Sequence, residues 1–74
     1  MVSATSSQPQ GSHLWIITLQ VPGGASATGH GTFTPPADWT RRDAFRAVLA
    51  DMHKDAPELT GANVLFFSLE PNRL

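Results

Sequence analysis

Three stretches of the chain have the composition and length of β-strands, and a fourth repeats its apolar residues near a period of 3.6. The run from His13 to Val21 (HLWIITLQV) is rich in β-branched and aromatic residues, and Pro22-Gly23-Gly24 ends it, as expected of a strand leading into a turn. Alternation puts Trp15, Ile17, Leu19 and Val21 on one face and Leu14, Ile16, Thr18 and Gln20 on the other. A second strand is predicted from about Thr28 to Thr34, stopped by Pro35-Pro36 because proline cannot continue a ladder. Folding the two strands back on each other sets Ile17 opposite Phe33 and Thr18 opposite Thr32, which keeps like residues together on each face.

The period then changes. Thr40 reads as a helix N-cap, with Asp43 in the capping-box position and near the positive end of the helix dipole. Phe45, Val48, Leu49 and Met52 follow at the spacing of one helical stripe, so a helix is predicted over Arg41–Asp55, ending before Pro57. Trp39, just ahead of the cap, is placed to staple the first turn. Thr60-Gly61 turns the chain into a last strand, Ala62 to Leu69 (ANVLFFSL), with Pro71 as its stop.

The order β-β-α-β gives an α+β fold: a three-stranded antiparallel sheet in order 2-1-3 with one helix packed on one face. A crossover through a helix makes strand three parallel to strand two, so docking it beside strand one makes that pair antiparallel. The helix-facing set is then Trp15, Ile17, Leu19, Phe33, Leu65, Phe67 and Leu69 against Phe45, Val48, Leu49 and Met52. Leu14, Ile16, Val64 and Phe66 are left together on the uncovered face, with Thr18, Gln20, His30, Thr32 and Thr34 at its polar end. A contiguous apolar cluster of this kind marks an interaction surface. These four residues are the candidate interface, with a homodimer as the leading arrangement and cover by either chain end as the alternative.

Residues 1–12 (MVSATSSQPQGS) have almost nothing to bury and are expected to form a disordered tail ahead of a single domain over residues 13–74. They contain no Lys or Arg and no apolar core, so a secretory signal is not expected. No stretch has the apolar length of a membrane helix. With 74 residues, no cysteine and a formal net charge of −1, the chain has neither disulfides nor thiolate metal ligands to stabilise it. That raises the expectation of a partner and fits a cytoplasmic protein. The charge also lacks the basic excess of a free-standing nucleic-acid binder.

Candidate chemistry is sparse. Gly23-Gly24 and Gly29-His30-Gly31 lie between strands without a following helix or lysine, so they read as hairpin glycines and not as a phosphate cradle. In this pairing Gly29 and Gly31 leave room above Leu19 and Val21, or permit a bulge. His13, His30 and His53 sit on separate elements and show no metal-ligand spacing, so neither metal nor cofactor is expected. His30, Gln20 and Thr32 form a candidate ligand-binding group on the sheet. Arg42, Arg46 and His53 fall on one helix flank and Arg41 joins them in the first turn, making Arg41, Arg42 and Arg46 a candidate anion-binding set. No pair of carboxylates and no Ser, His and Asp arrangement supports a catalytic site.

The segments WIITLQ, GTFTP, TRRDAF and NVLFFSLEPN resemble those of a group of small uncharacterised actinobacterial proteins. The resemblance spans the chain from Trp15 onward. It implies that the β-β-α-β unit is a whole fold and carries over no functional residue. Three functions are thus in competition: a non-enzymatic protein–protein interaction module, a nucleic-acid-associated regulator using the arginine flank, and a small-molecule binder at His30 and Thr32.

Overall fold

In the computed structural model, which describes residues 10–74, strand β1 spans His13–Gln20 and β2 spans Ser26–Phe33. Helix α1 spans Arg41–Asp55, a 3₁₀ turn covers Pro57–Leu59, and β3 spans Asn63–Pro71. The strands form one sheet in the order β2-β1-β3, antiparallel on both sides of β1. This is the α+β architecture expected. Residues 1–9 of the expected tail lie outside the described residues.

Val21 to Gly24 close the β1–β2 hairpin. Pro22 sits at the position that favours its fixed φ, Gly23 has φ 70°, and Gly24 N donates to Val21 O at 2.8 Å. These are the marks of a type II turn, which needs positive φ at its third residue. Because the turn is this tight, β2 begins earlier than expected. Ile17 pairs with Gly29 and not Phe33, and Thr18 pairs with Thr28 and not Thr32. The displacement is an even number of residues, so it leaves each side chain on its expected face. The Thr–Thr pairing survives in the new register, with the Thr18 and Thr28 Oγ1 atoms 2.8 Å apart.

The new register also changes what the glycines face. Gly31 lies opposite Trp15, and a Cβ at Gly31 would sit 2.9 Å from the Trp15 ring. At Gly29 it would meet Met52 Sδ at 2.7 Å. The room therefore serves Trp15 and Met52, not Leu19 and Val21.

Helix α1 begins as the cap residues dictate. Asp43 N donates to Thr40 Oγ1 at 3.2 Å and Thr40 N donates to Asp43 Oδ2 at 3.0 Å, the reciprocal capping box. Trp39 packs on Phe33 of β2, with ring centroids 6.4 Å apart. The helix lays Phe45, Val48, Leu49 and Met52 on Ile17 and Leu19, both 0% exposed. Phe45 meets Phe67 edge-on at 5.1 Å. Two buried residues lie outside the expected stripe: Ala44, one turn ahead of Val48, and Leu59 in the 3₁₀ turn, which closes the end of the core.

Strand β3 departs from strict alternation. Phe66 pairs with Thr18 but Val64 pairs with Leu19, so Leu65 is an extra residue in a β-bulge. This corrects two assignments. Val64, expected on the uncovered face, lies opposite Leu19 on the helix side at the sheet edge and is 39% exposed. Leu65, expected in the core, is 57% exposed. A single inserted residue reverses the parity of everything before it, which no pattern with a fixed period of two conveys.

Gln10–Ser12, counted with the tail on composition, make specific bonds. Gly11 N donates to Thr32 Oγ1 and Ser12 N to Thr34 Oγ1, each at 3.1 Å. Asn72 Nδ2 donates to Gln10 Oε1 at 2.8 Å, and Asn72 N donates to Ser12 O at 2.8 Å, extending the β1–β3 ladder. The polar composition that argued against burial here supplies hydrogen bonds to the sheet end.

Candidate functional site

The open face of the sheet can be read row by row, since directly paired residues in an antiparallel ladder share a face. Thr32, Leu14 and Glu70 form one row, and His30, Ile16 and Ser68 the next. Thr28, Thr18 and Phe66 follow, and then Ser26, Gln20 and Asn63. Leu14 and Ile16 are half-buried between their neighbours on β2 and β3. Phe66 is 52% exposed and stands diagonal to Ile16, with exposed Leu65 beside it at the β3 edge. Of the four candidate interface residues, the fold keeps Leu14, Ile16 and Phe66 on one face and separates Val64 from them. Leu65 is exposed at the bulge, next to Phe66 in the chain, and the unbroken apolar run VLFF gave no sign of it.

The candidate ligand group is not gathered. His30 and Thr32 occupy adjacent rows, whereas Gln20 pairs with Ser26, beyond the Thr28 row. Thr32 is occupied by the Gly11 N–H.

The arginines diverge. In β1, Val21 N bonds to Ala25 O on the β2 side and Ser12 O accepts from Asn72 N on the β3 side. By ladder alternation, odd-numbered β1 residues turn their backbone groups to β2 and even-numbered ones to β3. Leu69, which pairs with Trp15, is thereby left with its carbonyl turned to the outer edge. Arg41 Nη1 donates to that carbonyl at 2.7 Å, so Arg41 joins helix to sheet edge. Arg46 lines a hollow with Asp38, Trp39 and Asp43, where two carboxylates accompany its charge. Arg42 is exposed. His53 is half-buried, and its Nε2 is shut off from solvent without a hydrogen-bond partner, so it does not extend the basic flank.

Among the described residues no group of His, Cys, Asp or Glu is arranged to hold a metal, and no helix is long and apolar enough to cross a membrane. One feature not anticipated from sequence is a cleft of about 350 Å³ on the helix side, lined by His13, Trp39, Arg41, Ala44, Leu69 and flanking prolines.

By architecture this chain is a small two-layer α+β unit, with one face of its sheet uncovered among the described residues. No protein-family model, curated protein or solved structure matches it.

Proposed function

We propose that the protein is a non-enzymatic interaction module that self-associates through the open face of its sheet, in the cytoplasm. The carrying observation is exposed Phe66, standing diagonal to half-buried Ile16 with half-buried Leu14 in the row beyond, on a face without helix cover. The rest of that face is Thr18, Gln20, Ser26, Thr28, His30, Thr32, Asn63 and Ser68, with Glu70 at one end. A nearly neutral surface of this kind meets its own copy without like-charge repulsion, and it offers nothing to a polyphosphate backbone. A twofold pairing needs only one such patch, used twice. Completing the burial of Phe66 alone is worth about 1 kcal/mol, roughly half of what full burial of such a side chain contributes.

Sedimentation equilibrium tests the proposal directly. The full chain is expected to dimerise, and Phe66→Asp and Ile16→Asp are each expected to shift it to monomer while the far-ultraviolet circular dichroism is unchanged. A monomeric parent, or variants that associate as the parent does, would exclude this surface.

A further inference from the structure

On the opposite side of the sheet, the 350 Å³ cleft opens between the start of β1, the end of β3 and the connection leading into α1. Its walls are mostly apolar: Leu69, Ala44, Trp39 and prolines from both sides. Two ionisable side chains line it, Arg41 and His13, and no carboxylate does. The adjacent hollow makes the contrast, because there Arg46 is accompanied by Asp38 and Asp43.

Arg41 is also held in place. Its Nη1 bond to the Leu69 carbonyl, 2.7 Å long, fixes the guanidinium while using one of its several donors. Ser12 Oγ, 2.8 Å from His13 Nδ1, likewise orients the imidazole. The start of the helix is not the receptor, since Thr40 and Asp43 already cap it. A positioned guanidinium suits a planar carboxylate, which can accept two parallel N–H bonds from it. The exposed indole and prolines suit an apolar body attached to that carboxylate. The volume lies within the range of small-ligand sites.

We propose that this cleft binds small carboxylic acids with an aromatic or aliphatic body, Arg41 holding the carboxylate and Trp39 the body. The same chemistry occurs at the C-terminus of a peptide ending in an apolar residue. The inference is independent of self-association, which uses the other face.

The test is a titration of the full chain followed by heteronuclear NMR, with benzoate as the probe and benzyl alcohol as its uncharged counterpart. Benzoate is expected to give saturable shifts at the Trp39 indole, Arg41 and His13, and the alcohol to bind at least about tenfold more weakly, equivalent to ~1.4 kcal/mol. Arg41→Gln is expected to lower benzoate affinity by a similar factor. No saturable shift, or equal responses to acid and alcohol, would overturn the proposal. The acid–alcohol comparison uses the unaltered protein, so it decides the matter even if loss of the Leu69 bond unfolds the variant. A phenylalanine-terminated peptide, as free acid and as amide, separates the two sources. Tighter binding of the free-acid peptide than of benzoate assigns the cleft to chain termini, and weaker binding assigns it to small acids.

Discussion

At the scale of single residues, the fold turns on close approaches that glycine permits. The Trp15 ring lies against Gly31, where an added methyl group would stand 2.9 Å from a rigid aromatic edge. Gly31→Ala is therefore expected to cost about 1–3 kcal/mol, the range for overpacking a core, measured by urea denaturation. Gly29→Ala meets the flexible end of Met52, which can move aside, and is expected to cost less than Gly31→Ala. Equal losses would show that Trp15 yields as readily as Met52. Gly11 is the more severe case, because a Cβ there would collide with the Phe33 backbone, which cannot rotate away. Gly11→Ala is expected to release Gln10–Ser12 from the sheet end. The readout is faster amide exchange at Asn72, whose N–H donates to Ser12 O.

At the scale of elements, each boundary has a local cause. Both halves of the capping box at Thr40 and Asp43 are formed, so Thr40→Ala is expected to destabilise the protein by about 1 kcal/mol in the same denaturation assay. The β3 bulge is a different kind of device. Strand β3 is a sheet edge, and bulges disrupt the flat row of unpaired backbone groups that would recruit another strand. Deleting Leu65 would restore an unbroken ladder, with Val64 still opposite Leu19 and Phe66 still opposite Thr18. That variant is expected to fold and to form larger assemblies than the parent, seen by light scattering. An unchanged assembly state would remove any protective role for the bulge.

At the scale of the whole molecule, one helix covers one face of a three-stranded sheet and leaves the other uncovered among the described residues. A chain of 74 residues has little stability in reserve, so an apolar surface of this kind has consequences. Removing Phe66 by Phe66→Asp is expected to change assembly and leave intrinsic stability within about 0.5 kcal/mol, because the side chain is already half exposed. A large loss of stability at a concentration where the parent is monomeric would instead assign Phe66 to the fold itself. The proposed cleft is also a product of this scale. Its lining comes from β1, β3, α1 and the connection before the helix, brought together only by the completed sheet.

Residues close in sequence determined the element order, the helix bounds and the capping box, because caps, stripes and proline stops act within a few residues. The strand order 2-1-3 was not fixed this way, since Phe67 could meet the helix with β3 beside either β1 or β2; the tertiary structure places it beside β1. Tertiary structure decided the register of β2, because the tight turn at Gly23 starts the strand early and all even displacements preserve the faces equally. It decided the bulge at Leu65, which depends on how β3 fits beside β1 and not on any period within β3. It likewise set Arg41 on the Leu69 carbonyl instead of in a shared basic flank, because an edge strand leaves carbonyls unpaired and the nearest donor takes one. Periodicity specifies which side of an element is apolar; only packing specifies what that side touches.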